Sequence, residues 1–212
     1  MAKSKKRKVR IKYGRIFLFI LLVVGTIIGI YKVFNIRVTN IYVTGNTIYT
    51  DQEIIDLAGL HNYPRVIAIR NRKIESQLKQ NKYIKDAYVS RTSFLQKVNI
   101  EITENKPLLY YQYDNVYLLS NYEKTSDRFE VPILINQTPE DILKKLLKKM
   151  STIDEDVLYR ISEIRYRPSN VDDELFYLTM NDGNYIYINI KNLTRRIKRR
   201  YKSIIAKCRS II

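Results

Sequence analysis

One histidine, one cysteine and 21 carboxylates are the side chains best equipped for acid–base, nucleophilic or metal chemistry in this chain. Their spacing assembles none of these. His61 stands in the loop Gly59-Leu60-His61-Asn62 and reads as a solvated side chain rather than a ligand. Cys208 lies between Lys207 and Arg209, and neighbouring cations lower a thiol's pKa and raise its reactivity. Helical phase points the other way: Leu193, Ile197, Tyr201, Ile204, Ile205 and Cys208 recur at spacings of one, three and four, so the thiol joins an apolar stripe. There is no glycine-rich phosphate loop and no cluster at metal-ligand spacing. The expectation is therefore no catalytic residue, no metal, no cofactor and no small-molecule substrate.

A lone cysteine also excludes an internal disulfide, so burial and backbone pairing must hold the fold. The net charge of +17 suggests nucleic acid until it is located. Eight cations precede Ile16, nine follow Ile190, and the body between carries 21 basic and 21 acidic residues. A neutral body lacks the basic patch that nucleic-acid binding requires. The end charges have other uses. Arg195, Arg196, Lys198, Arg199, Arg200 and Lys202 lie on the polar faces of one C-terminal helix, with no acid after Asp182. Such a face is either simply solvated or a surface that attracts an acidic partner segment, anionic lipid or wall polymer over roughly a Debye length of ~8 Å.

Ile16 to Tyr31 is sixteen residues without a charge, and continuing to Phe34 gives nineteen. At ~1.5 Å rise per residue that is about 28 Å, close to the ~30 Å of bilayer hydrocarbon. The basic residues 1–15 are retained on the cytoplasmic side, which puts everything after about Asn35 outside. A cleaved signal peptide shares this pattern, but Ile30, Tyr31, Lys32, Val33 and Phe34 offer no small-x-small cleavage site. An uncleaved anchor is expected at 16–34.

Beyond it, Ile36 to Thr44 alternates as a strand and ends at the turn Gly45-Asn46. Thr50 and Glu53 form a capping box, Ile54, Ile55 and Leu57-Ala58 supply an apolar face, and Gly59 stops the helix. A second helix from about Asn71 to Gln80 carries Ile74 and Leu78. Strands follow at Ile84 to Arg91 and at Val98 to Thr103, where Val98, Ile100 and Ile102 point inward. Helices on one face of a three-stranded sheet result.

The run Val38-Thr39-Asn40-Ile41-Tyr42-Val43-Thr44-Gly45-Asn46, the stretch Ile84-Lys85-Asp86-Ala87-Tyr88-Val89 and the stretch Ile100-Glu101-Ile102-Thr103-Glu104-Asn105-Lys106-Pro107 resemble the POTRA domain of the FtsQ/DivIB cell-division proteins. The later chain is similar too. Leu108 to Tyr113 and Val116 to Leu119 flank Asp114-Asn115 as a hairpin, and Val131-Pro132-Ile133-Leu134-Ile135 resembles the family's short P-x-L segment. Thr138-Pro139-Glu140-Asp141 opens a helix with a cap, an N1 proline and first-turn acids, its apolar side being Ile142, Leu143, Leu146, Leu147 and Met150. Ile161 to Tyr166 is a strand, and Leu175 to Met180 pairs with Tyr185 to Ile190 across Asn181-Asp182-Gly183.

The expected fold is α+β: an N-terminal transmembrane helix, a βααββ POTRA domain at 36–105 and a second α+β domain with an antiparallel sheet at 106–212. The resemblance implies a septation scaffold in the bacterial cell membrane, single-pass with its N-terminus cytoplasmic, that catalyses nothing. It also implies partners, the FtsB/DivIC-like and FtsL-like coiled-coil proteins of the divisome. Relatives commonly continue into a last strand resembling V-D-L-R, whereas this sequence stops at Ser210-Ile211-Ile212. Without that strand, Tyr185 to Ile190 either ends the sheet as a free edge, open to an added partner strand beside Tyr185, Tyr187 and Asn189, or is covered by another part of the chain. Arg196, Arg199 and Arg200 are the expected charged contacts. The rival readings are a POTRA module of polypeptide transport or secretion and, less favoured, a membrane-anchored wall enzyme working through carboxylates alone.

Overall fold

α1 (Tyr13–Phe34) is a 22-residue helix whose most apolar 18-residue window has a mean hydropathy of 2.5 and buries none of its side chains against the protein. It alone among the described residues is long and apolar enough to cross a membrane. The computed structural model describes residues 13–92 and 96–197. These divide into two compact units, one holding the chain up to Leu78 with Ala87–Ile102, the other Lys79–Asp86 with the chain from Thr103 onward.

In the first unit, β1 (Asn40–Thr44) runs parallel to β3 (Lys97–Glu104), with Ile41 opposite Val98 and Val43 opposite Ile100. β2 (Ile84–Thr92) lies on the other side of β3. Strict alternation makes Val98, Ile100 and Ile102 one buried row, and α2 (Asp51–Leu57) and α3 (Asn71–Leu78) add Ile54, Ile55, Ile74 and Leu78 to the core. The capping box is present: Glu53 N donates to Thr50 Oγ1 at 3.3 Å and Thr50 N donates to Glu53 Oε2 at 2.8 Å. Gly59 ends α2 at φ 70, and Gln77 Nε2 ties α3 back to Leu57 O at 2.7 Å.

The strand expected from Ile36 begins only at Asn40. Residues 36–38 pair elsewhere: Val66 N donates to Ile36 O at 2.9 Å and Val38 N to Pro64 O at 3.0 Å. The chain changes partner at Thr39, whose N–H donates to Gln96 O at 2.8 Å. Alternation alone cannot report which neighbour a strand pairs with.

The second unit is a seven-stranded sheet in the order β10-β9-β8-β7-β4-β5-β6. Its strands are β4 (Pro107–Tyr111), β5 (Val116–Leu119), β6 (Lys124–Thr125), β7 (Ile133–Leu134), β8 (Ile161–Tyr166), β9 (Leu175–Met180) and β10 (Tyr185–Asn189). The sheet is mixed rather than wholly antiparallel, because two-residue β7 runs parallel to both β4 and β8. Leu134, Ile164, Phe176, Leu178, Ile186 and Ile188 line one buried face. Against it α4 (Glu140–Met150) sets Ile142, Leu146, Leu147 and Met150, while Leu143 is half-buried at the margin.

The cap of α4 differs from expectation. Pro139, at φ −54 and ψ 142, is the N-cap, and Thr138 instead donates from Oγ1 to Asn136 O and from N to Tyr111 Oη. With no side-chain cap, the acids Glu140 and Asp141 are what favours the helix start. The short helix α5 (Glu155–Leu158) follows.

Lys79–Asp86 is bound into this second unit by a polar knot. Asn105 donates from N to Tyr83 O at 2.7 Å and from Nδ2 to Lys82 O at 2.8 Å, and Asn121 Nδ2 reaches Lys82 O at 3.2 Å. Lys82 Nζ donates to Thr125 Oγ1 at 2.9 Å, and the Tyr83 hydroxyl bonds Thr125 and Asp127. That hydroxyl, with Thr125, holds the Asp127 carboxyl below the usual carboxylate range.

Candidate partner-binding edge

β10 owes its place to the hairpin before it. Gly183, at φ 80, supplies the left-handed residue of the loop, where Gly183 N donates to Met180 O at 3.0 Å and Met180 N to Asn184 O at 2.8 Å. That closure sets the register, placing Tyr185 opposite Thr179, Tyr187 opposite Tyr177 and Asn189 opposite Leu175. Ile190 N donates to Glu174 O at 3.1 Å, so the even-numbered residues from 184 to 190 bond to β9. The N–H and C=O groups of Tyr185 and Tyr187 and the N–H of Asn189 therefore point away from the sheet, while the Asn189 C=O caps the 3-10 turn Ile190–Asn192. Among the described residues no strand pairs with this side of β10.

The two faces of β10 are equally distinct. Ile186 and Ile188 are buried under the core, while Tyr185 and Tyr187 are 64% and 58% exposed. Both tyrosines share Tyr177 of β9, with ring centroids at 5.7 Å and 20° for Tyr185 and 4.9 Å and 60° for Tyr187. The outer face continues as one register row from Tyr185 through Thr179, Glu163, Ile133 and Tyr110 to Tyr117. At its far end a cleft of about 530 Å³ is lined by Tyr110, Tyr117, Phe129, Arg128 and Ile133.

Asn189 differs from the tyrosines. Its Nδ2 donates to both carboxylate oxygens of Asp172, at 2.7 and 2.8 Å, and its Oδ1 accepts from Lys191 N at 2.8 Å. These bonds fix the end of the strand, and with the Glu174 amide they hold the Asp172 carboxyl below its ordinary range. Asn189 offers a partner its main-chain N–H, not its side-chain amide, since its C=O starts the 3-10 turn Ile190–Asn192.

Arg196 lies beside the edge. Its Nη1 donates to Tyr187 O at 3.2 Å, covering one of the two outward carbonyls. Leu193 and Ile197 are buried, in keeping with the expected stripe, whereas Arg199, Arg200 and Cys208 lie outside the described residues. His61 is exposed. No group of three potential metal-ligating side chains occurs among the described residues.

Sequence reasoning missed Tyr177, and it named Arg196 as a charged contact without its bond to the Tyr187 carbonyl. Tyr177 was readable, since the hairpin loop 181–183 puts it across from Tyr187. The bond of Arg196 to the edge was not, because it depends on the reversal of the chain through the 3-10 turn Ile190–Asn192.

Residues 36–105 match the POTRA domain of FtsQ type. The class is thus a POTRA protein with a helix fit to cross a membrane. Cell division protein DivIB of Bacillus subtilis strain 168 is 34% identical over 182 residues, covering 82% of this chain and 68% of that protein. DivIB of Listeria monocytogenes is also 34% identical, covering 80% and 65% respectively, and DivIB of Erysipelothrix rhusiopathiae is 30% identical, covering 88% and 72%. The chain belongs to the DivIB family of cell division proteins. It spans about two thirds of the length of these relatives. The major extracytoplasmic domain of DivIB from Geobacillus stearothermophilus, in its trans isomer, aligns at a TM-score of 0.39 and 21% identity over 45% of this chain and 87% of that one, a likeness too partial to bear on the fold.

Proposed function

We propose that this chain is a non-enzymatic scaffold of septation, held by α1 with its N-terminus in the cytoplasm and its two units outside, and that it captures bitopic coiled-coil proteins of the FtsB/DivIC and FtsL kind. The observation that carries the reading is the side of β10 that no strand among the described residues pairs with, where the main-chain groups of Tyr185 and Tyr187 and the N–H of Asn189 turn outward. A partner strand added there gains main-chain hydrogen bonds, and the Tyr177–Tyr185–Tyr187 cluster supplies an aromatic surface for its side chains. Anchoring all participants in one membrane raises their effective concentration without any further contact.

The test is hydrogen exchange on the full chain with and without the partner ectodomains. Added protection at residues 185–190 supports strand addition, and unchanged exchange there in a demonstrated complex rejects it. A fluorescent fusion should concentrate at mid-cell before constriction. Uniform membrane fluorescence in dividing cells would remove the septal assignment.

A further inference from the structure

The segment that leaves α1 is stitched at once to a loop of its own unit. α1 ends at Phe34, and two residues later Ile36 O accepts from Val66 N at 2.9 Å. At ~3.3 Å per extended residue the Val66 amide lies within about 10 Å of the helix end. Headgroups extend roughly 5–8 Å beyond the hydrocarbon on each side. If α1 crosses a bilayer, this loop is at headgroup depth or just above it.

What the loop presents suits that depth. Val66 and Ile69 are buried, but Ile67 between them is 53% exposed and Tyr63 is 45% exposed. Arg91 Nη1 donates to both Val66 O and Ile69 O, which pins the turn with Ile67 held outward. Arg37, joined to Arg65 by an isolated antiparallel bridge, is exposed, as are Arg65 and Arg70. None of the ion pairs among the described residues uses these three arginines. The chain has no acid before Asp51 and none between Asp56 and Glu75.

We propose that residues 63–70 dock on the surface of the bilayer that α1 crosses. Ile67 enters the boundary between headgroups and acyl chains, Tyr63 lies at headgroup level, and Arg37, Arg65 and Arg70 meet anionic headgroups. The POTRA unit then stands on the membrane at two points, helix and loop, instead of swinging from one.

The proposal rests on α1 being a membrane anchor, and the test separates the two. The full chain carrying Cys208→Ser and one new cysteine is labelled with an environment-sensitive fluorophore. It is placed in nanodiscs of phosphatidylglycerol and phosphatidylcholine with brominated acyl chains. A label at Ala68→Cys should be quenched, a label at Thr44→Cys at the far end of β1 should not, and a label at Ile27→Cys reports the anchor. Ile67→Ser, or exchange of phosphatidylglycerol for phosphatidylcholine, should reduce quenching at 68. Reversing Arg37, Arg65 and Arg70 to Glu should lower the docked-to-undocked ratio by at least about fivefold per arginine. Quenching at 27 with none at 68 overturns the docking and leaves the anchor. Absence at both overturns both. Shielding at 68 that needs added wall polymer, or that ignores the arginine reversals, also overturns the proposal.

Discussion

The guanidinium of Arg196 donates to the main-chain oxygen of Tyr187 at 3.2 Å, so an incoming strand meets an arginine where it needs an acceptor. The cation expected to attract a partner by its charge thus occupies an acceptor of the edge. Arg196→Ala should therefore tighten strand addition modestly, by about twofold to fivefold, the worth of one exposed hydrogen bond. Arg199→Glu with Arg200→Glu should weaken capture by removing field alone. Titration of partner ectodomain against each variant separates the effects, and weaker binding by Arg196→Ala would show that the guanidinium serves the partner rather than the edge.

Gly45 and Gly59 both have positive φ, at 87 and 70, yet they should respond differently to alanine. A Cβ on Gly45 would stand 2.1 Å from Ile102 O, whereas one on Gly59 would meet only Gln77 Nε2 at 3.9 Å. Gly59→Ala should cost the ~1–2 kcal/mol of a left-handed residue. Gly45→Ala should cost more, ~3 kcal/mol or above, because backbone must move. Urea unfolding of the two variants checks the order.

The two faces of the second sheet predict opposite outcomes for aromatic truncation. Phe176 is fully buried beneath the sheet, so Phe176→Ala should lose ~3–5 kcal/mol. Tyr187→Ala, on the open face, should lose no more than about 1 kcal/mol, from its contact with Tyr177. Its partner affinity should fall nonetheless. A Tyr187→Ala protein that binds normally would exclude the tyrosine face from the interface.

Acid should weaken the fold from below the ordinary carboxylate range. Glu53 is lowered by the Thr50 amide and hydroxyl, Asp127 by Tyr83 and Thr125, and Asp172 by Asn189 and the Glu174 amide. A carboxylate with a folded pKa below its unfolded value binds fewer protons when folded. Its stabilisation is thus present above about pH 4 and lost as pH falls through the folded pKa. The thermal midpoint should hold from about pH 7 to 5 and drop below about pH 4, less steeply in Glu53→Gln and Asp127→Asn. A midpoint unchanged down to about pH 2 would contradict this.

Much of the fold was legible because local signals agreed with tertiary ones. Val98, Ile100 and Ile102 alternate in sequence and share a buried row in space, and the Thr50 and Glu53 pair closes as its spacing implies. The hairpin across Asn181-Asp182-Gly183 carried its register with it, and with the register came the outward side of Tyr185 and Tyr187. What stayed hidden was non-local. Two-residue β6 and β7 are too short to show a period, and the parallel seat of β7 between β4 and β8 follows from chain return. The bonds of Asn189 to Asp172 and of Arg196 to Tyr187 depend on such returns as well.

The knot at Lys79–Asp86 determines how this protein can be recombined with its relatives. The backbone passes between the two units three times, after Leu78, Asp86 and Ile102. A chimaera joined at residue 105 would inherit Thr125, Asn121 and Asp127 from one parent and the Lys82 and Tyr83 that satisfy them from another. Grafts should exchange the anchor at residue 35 and keep the chain from residue 36 onward whole; a hybrid spliced at 105 should lose stability for want of its donor's own loop, whatever the quality of either half.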